Sequence, residues 1–376
     1  MQRYLDYNAT APVIDESLTA FTEAAITASG NPSSLHWAGR AARKLLDDAR
    51  DALAKHLNVE SGSVVFTSGG TEANNMAIHG CLSKQKPGKI VVSAIEHPSV
   101  LQPLESWAVK SGWEVVYVRP DRDGVIDAET FCSHVDAETR LACLMLVNNE
   151  TGTIQPVEEV VAHCRNSEVA TLVDAVQALG KLPLDLSKLG ADFVSFSAHK
   201  IGGPKGVGAL IVRRGRKLEP LLQGGGQERK RRSGTENVPG VAGFAAALGV
   251  LGFGNCAAVR DGFENILAKA LPEVVFFARE AERVGNTSMF SMPGLDGETL
   301  LMQLDLAGFA VASGSACSSG KRDASHVLLA MGVPDLESRS SLRVSFGPKH
   351  SYDDADALVD ALVNIRDRLK MMAGAA

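Results

Sequence analysis

Residues 141–149 read Leu141-Ala142-Cys143-Leu144-Met145-Leu146-Val147-Asn148-Asn149: an unbroken apolar run, then two amides. A strand wetted on one face alternates polar and apolar residues, whereas a strand covered on both faces is apolar at nearly every position. Comparable runs occur at 63–67, 89–95, 114–118, 171–173, 193–196 and 209–212, and helix-like stretches such as 33–56 and 158–165 lie between them. That alternation spells β-α-β and predicts a mostly parallel sheet between helices over roughly 60–215.

Past the middle of the chain the pattern changes. Short strands are expected at 274–277, 287–291 and 342–346, with helices between them and a last helix from Asp353. The extended first dozen residues are expected to pack with this part. The predicted class is therefore α/β, with a large domain over 13–255 and a smaller α+β domain formed by 1–12 and 256–376. The uncharged run 237–259 contains Pro239, Asn255 and five glycines, with Ala and Gly outnumbering Leu and Ile. It reads as a buried helix with a small-residue packing face rather than a membrane span.

Composition narrows the function. The 376 residues are 45% hydrophobic and 22% charged, which excludes disordered, collagen-like and disulfide-scaffold classes. With 38 Lys and Arg against 44 Asp and Glu, the net charge of −6 does not favour a dedicated nucleic-acid or anionic-membrane surface. The basic run Arg229-Lys230-Arg231-Arg232 is short, and reads as a solvated loop, a phosphate contact or a docking patch for an acidic partner. Six cysteines form no C-x-x-C pair, and no His stands at metal-finger spacing, so neither a metal site nor a disulfide framework is expected. The opening MQRYLDYNATAPV lacks the basic start and apolar core of a secretory signal, which leads to the expectation of a cytoplasmic protein.

In open parallel sheets ligands bind beyond the carboxyl ends of the strands. Polar groups follow the apolar runs at five places: Thr67-Ser68-Gly69-Gly70-Thr71, Glu96-His97, Asn148-Asn149, Asp174, and Ser197-Ala198-His199-Lys200. The first is a loop of small residues and hydroxyls entering a helix, where free N–H groups and the helix dipole favour a phosphate. Lys200 follows a strand and precedes a Gly-Gly-Pro turn; a lysine so placed can lose its proton and form a Schiff base with an aldehyde. Asp174 ends a buried strand and needs a cationic partner or hydrogen bonds, and a protonated pyridine nitrogen would serve. Gln177 could reach a ring substituent, and His97 offers a flat face and a titratable proton. Together these residues describe a pyridoxal phosphate site.

Cys317 lies in Ser313-Gly314-Ser315-Ala316-Cys317-Ser318-Ser319-Gly320, a segment too small and polar to bury the thiol. An accessible thiolate there could attack the sulfur of a bound substrate and carry the resulting persulfide.

The motifs TSGGTEANN (67–75), EHPSV (96–100), DAVQ (174–177), SAHK (197–200), GGGQERKRRSGT (224–235) and SGSACSSG (313–320) occur in this order, after YLDYNATAPV (4–13) and GNPSSLHWAG (30–39). In this combination the chain resembles the class V, fold-type I pyridoxal phosphate enzymes, and among them the NifS/IscS-like cysteine desulfurases. The resemblance implies that Lys200 bears the cofactor, that Asp174 pairs with its pyridine nitrogen and that Gln177 bonds its phenolic oxygen. His97 would stack on the ring and move protons, with Asn149 beside ring and substrate. Gly70, Thr71, Ser197 and His199 would hold the phosphate, and Thr235 would reach the phosphate of a neighbouring subunit, making the active unit a homodimer. Arg343 would grip the carboxylate of L-cysteine; the alternation of Ser341-Leu342-Arg343-Val344-Ser345-Phe346 puts it on the polar face of its strand. Cys317 would take the sulfur as a persulfide, leaving L-alanine, and pass it to an iron–sulfur scaffold or a sulfur-carrier protein, for iron–sulfur cluster assembly or for other sulfur-containing cofactors and tRNA. An aminotransferase of the same class would have no use for Cys317, and a selenocysteine lyase would use the same parts on selenium.

Overall fold

The computed structural model describes residues 2–250, 252–254, 256–314 and 324–374. After the short strand β1 (Arg3–Tyr4), a seven-stranded sheet is built from β2 (Val64–Thr67), β3 (Lys89–Ser93), β4 (Glu114–Val118), β5 (Thr139–Cys143), β6 (Ala170–Asp174), β7 (Phe193–Ser197) and β8 (Gly208–Val212). Its order is β2-β8-β7-β6-β5-β3-β4. The pairings from β7 through β4 are all parallel, and β8 runs antiparallel to both of its neighbours.

Strands β2, β6, β7 and β8 are buried at every position because helices cover both faces. The two-residue period decides which face each side chain joins. Val64, Phe66, Val173, Val194 and Ile211 enter one apolar cluster, while their neighbours Val65, Leu172, Phe193 and Leu210 enter another on the opposite side.

Beyond this sheet follow β9 (Val275–Phe277), β10 (Thr287–Ser291), β11 (Phe309–Ala310), β12 (Ala312–Ser313) and β13 (Ser341–Ser345). Four of these form an antiparallel sheet in the order β12-β13-β10-β9, and β11 pairs in parallel with β1. A third apolar cluster joins Leu5 to Phe263, Phe290, Val344 and Leu358, so the beginning of the chain packs with its last third. The closing helix is Tyr352–Gly374.

Two expectations change. The apolar run that begins at Leu141 leaves regular strand after Cys143. Leu144 and Leu146 still donate to the carbonyls of Leu172 and Asp174 at 3.1 and 2.9 Å, and the chain then turns where Asn148 Oδ1 accepts from the N–H groups of Glu150 and Thr151. The run 237–259 is not one helix but two, Val238–Ala247 and the start of Cys256–Ala270. Gly249, at φ 72°, Gly252 and Gly254 lie between them, and glycine is costly in a helix interior. Among the described residues no helix is long and apolar enough to cross a membrane.

Candidate active site

The carboxyl ends of β6 and β7 face the amino end of helix Gly70–Leu82 across a cavity of about 340 Å³. Asp174 is the last residue of β6 and lines this cavity. It is 5% exposed, its Oδ2 accepts from the Asn74 amide at 2.8 Å, and its Oδ1 accepts from the Val176 N–H at 2.9 Å. Both donors are neutral, so neither is a counter-charge, and the buried carboxylate can take a cationic ligand atom as its partner.

Ser197 ends β7, and the short helical turn Ala198–Lys200 brings His199 and Lys200 to the cavity wall. Lys200 Nζ donates to the carbonyl oxygens of Asn8 and Ala9 at 2.6 and 2.8 Å. The amine is thus tethered by the opening segment, which the sequence reading had not connected to it. His199 Nδ1 lies 3.1 Å from Thr10 Oγ1. Burial, reinforced by the Lys200 and Lys205 cations, pushes its imidazole down to about 4, so it is neutral near pH 7.

The loop after β2 enters its helix through Gly69, at φ 155°, and Gly70. A Cβ on Gly70 would come within 2.6 Å of Val176 Cγ2, so the helix end can lie this close only as glycine. Across the loop, a Cβ on Gly208 of β8 would meet Gly69 Cα at 2.6 Å. Gly70 and Thr71 both line the cavity, with the first-turn N–H groups of the helix beside it.

His97 precedes helix Pro98–Ser111 and caps it: its Nδ1 accepts from the Ser99 N–H at 3.1 Å and sits 2.8 Å from Ser99 Oγ. An Nδ1 that accepts leaves the proton of the neutral ring on Nε2. Burial holds this histidine below its usual range, opposed by Asp174 and aided by Lys200 and His326. The adjacent Glu96, 1% exposed, is driven well above the carboxylate range by burial and by Asp174.

Arg343 is 2% exposed in the middle of a strand buried throughout. Arg343 therefore turns inward to the cavity rather than toward water. Arg343 donates to Asn149 O at 3.0 Å and to Asp6 Oδ1 at 2.7 Å. Gln177 lines the cavity and donates to Asn8 O at 2.9 Å. Thr235 is exposed and is not among the residues around the cavity. Cys317 lies outside the described residues. On either side of that segment, a Cβ on Gly314 would fall 2.9 Å from Ser325 Cβ, and the Ser325 hydroxyl bonds Glu150, the neighbour of Asn149.

Sequence reading missed Asn74 and Asn8. Asn74 follows Gly70 by one helical turn, so it shares the face of the helix end, and that spacing was a usable signal. Asn8 had none, because its partners lie far along the chain.

A family model described as aminotransferase class-V matches residues 3–358. The chain belongs to the class-V aminotransferase family. Within it the chain falls in the NifS/IscS-like branch. Cysteine desulfurase IscS of Dictyoglomus turgidum is 38% identical over 378 residues, covering 98% of this chain and 96% of that protein. A cysteine desulfurase of Cereibacter sphaeroides is 38% identical over 375 residues, covering 98% and 97%. Among solved structures, a NifS-like protein aligns with a TM-score of 0.89 at 34% identity, covering 98% of this chain and 100% of that one. The fold is accordingly that of the fold-type I pyridoxal phosphate enzymes.

Class-V enzymes use pyridoxal phosphate, and the cavity of this class-V protein fits that molecule. Glycines and helix N–H groups form one wall for an anion, Asp174 offers a carboxylate for a ring nitrogen, and Lys200 supplies an amine for an aldehyde. Among the described residues, Asn74 Oδ1, Asn149 Oδ1 and Arg343 Nε are buried without a hydrogen-bond partner, and all three belong to cavity-lining residues. Buried polar atoms left unpaired are costly, and three around one cavity mark a polar ligand.

Proposed function

We propose that this protein is a cysteine desulfurase, which removes sulfur from L-cysteine, releases L-alanine and supplies the sulfur for iron–sulfur cluster assembly. The observation that carries the reading is one cavity holding an amine, a buried carboxylate and a glycine-lined helix end, in a chain similar over 98% of its length to proteins named cysteine desulfurase.

Bound pyridoxal phosphate supplies an aldehyde that captures an amino acid's amine and a pyridinium ring that draws off the electron pair at its α-carbon. The chain's own residues do the rest. Arg343, with Asn149 beside it, binds the substrate carboxylate and orients the α-carbon. Lys200, in its free amine form, takes the α-proton and returns it during formation of alanine. Asp174 would pair with the ring nitrogen and keep a proton there, and Gln177 would donate to the phenolic oxygen. His97 would stack on the ring, with a proton on Nε2 for transfer. Gly70, Thr71, Ser197 and His199 would hold the phosphate.

Cys317 attacks the substrate sulfur as a thiolate. The new bond is S–S and the broken one is Cβ–S: the Cys317 sulfur is oxidised to a persulfide as the substrate carbon is reduced to the methyl of alanine. Gly314 and Ser325, the described residues nearest to Cys317 in the chain that an interaction ties to this site, meet beside Glu150, the neighbour of Asn149, which supports this role for Cys317. Thr235 completes the phosphate site of a second copy, so the working unit is a homodimer in the cytoplasm. A scaffold or carrier protein accepts the sulfur. The chain divides into 13–255, around the large sheet, and 1–12 with 256–376, a division supported by the third apolar cluster.

Incubating the cofactor-loaded protein with L-cysteine tests this. Alanine should form and the unreduced Cys317 peptide should gain one sulfur, with both lost in Cys317→Ala. A variant that consumed cysteine as fast as wild type would make the protein an aminotransferase instead.

A further inference from the structure

Lys181, four residues after Gln177, does not line the cavity but reaches two residues that shape it. Its Nζ donates to Gln177 Oε1 at 2.6 Å and to Asn8 Oδ1 at 2.7 Å, and sits 5.7 Å from the centre of the Phe253 ring. Among the described residues the ionisable groups that bear on it are Lys200, Arg343 and Cys256, with no carboxylate. Burial first, then the Lys200 and Arg343 cations, holds its amine well below the lysine range.

The surrounding amides have only one consistent orientation. Gln177 turns its NH₂ toward the carbonyl oxygen of Asn8, at 2.9 Å, and a main-chain carbonyl can only accept. Asn8 in turn gives its NH₂ to Asn149 O at 3.2 Å and Thr287 Oγ1 at 2.9 Å, while its Oδ1 accepts from Asn286 at 3.0 Å. Both side-chain oxygens therefore converge on Lys181, which must donate to both. An apolar residue at 181 would take from Gln177 Oε1 its Lys181 donor and leave Asn8 Oδ1 with Asn286, and Gln177 would lose the contact that stops its amide from turning over.

We propose that Lys181 is a positioning residue for the cofactor: by holding the Gln177 oxygen it ensures that the cavity meets only the N–H side of that amide, as a donor to the phenolic oxygen. This rests on the pyridoxal phosphate reading of the cavity. The second N–H of Gln177 Nε2, beyond the one given to Asn8, stabilises a deprotonated phenolic oxygen and lowers the pH at which the cofactor-loaded lysine loses its proton. Among the described residues, the ionisable groups around that centre are Lys200 itself, Lys181, His97, His199, Asp174 and Arg343. Loss of the Gln177 donor moves that midpoint upward, and Lys181 acts on it through that donor.

The test loads wild type, Lys181→Met, Lys181→Arg, Gln177→Leu and the Lys181→Met/Gln177→Leu double variant with pyridoxal phosphate. Occupancy is measured, then the visible absorbance is titrated against pH without substrate. Lys181→Met should load, with its midpoint raised by about one pH unit. Lys181→Arg, still a donor, should recover most of the wild-type value, and adding Lys181→Met to Gln177→Leu should move the midpoint no further. An unmoved midpoint in a fully loaded Lys181→Met overturns the proposal, as does an equal shift with Gln177 already gone. Should Lys181→Met not fold, Lys181→Leu, which also lacks a donor, takes its place, with the same two outcomes deciding. Wild type that binds no pyridoxal phosphate would instead overturn the cofactor reading beneath it.

Discussion

Asn74 and Asp174, a hundred residues apart, meet through a 2.8 Å hydrogen bond from the asparagine amide to the aspartate Oδ2. The same amide donates to Ser99 Oγ at 2.9 Å, and Ser99 contacts His97, so one buried side chain ties the carboxylate to the histidine. Asn74→Ala should leave the charge of Asp174 poorly held. A hydrogen bond to a charged group contributes about 1.5–3 kcal/mol, so the cofactor dissociation constant should rise roughly 10- to 150-fold. Equilibrium dialysis of the loaded variant reads this, and an unchanged constant would remove Asn74 from the site.

His199 makes stability depend on acid. Its folded value of about 4 lies below the usual 6.5, so between these the unfolded chain binds the extra proton. Stability is retained above 6.5 and falls as the pH drops toward 4, with His97 contributing in the same direction. Melting temperatures of wild type and His199→Phe across this window should diverge in slope, the variant being flatter. Parallel slopes would contradict the assignment.

Glu96 has the opposite sign. Burial raises its folded value well above 4.5, so the folded protein keeps a proton that the unfolded chain releases, and stability declines as the pH rises past 4.5. A glutamine preserves the oxygen that accepts from the Met145 N–H at 2.6 Å and does not titrate. Glu96→Gln should therefore melt above wild type by a margin that grows as the pH rises above 4.5, and a constant margin would refute the argument.

Much of this arrangement was legible in the sequence, and the legible parts share a cause. Strands buried on both faces leave uninterrupted apolar runs, and parallel topology puts Asp174, Ser197 and Lys200 just beyond them. What stayed hidden depends on distance along the chain. Asn8 bonds residues 141 to 337 positions away, and such partners leave no local pattern. Arg343 shows a different limit: alternation separates two faces of a strand but does not say which of them meets water.

Glu228, Arg229 and Lys230 have φ of 45°, 58° and 66°, the left-handed region that side chains disfavour. Arg50 pays for this turn, donating to both oxygens of buried Glu228 at 2.8 and 2.6 Å. Glu228→Ala should cost about 3–5 kcal/mol by stranding the arginine. Exposed Lys230→Gly should instead stabilise, relieving about 1–2 kcal/mol of backbone strain against about 0.5–1 of glycine entropy. Urea unfolding of both variants checks the opposite signs.

The bonds of Asn8 also set a timetable. This residue accepts from Lys200 through its carbonyl and donates from its backbone N–H to Ser345 Oγ at 2.9 Å. While the ribosome is still adding residues before 345, the nascent chain already holds Lys200 and Asp174 but lacks a partner that pins its own beginning. The tether on the lysine is completed only once residue 345 has been made, so capture of the cofactor belongs to a chain that already carries its last strand rather than to a shorter one.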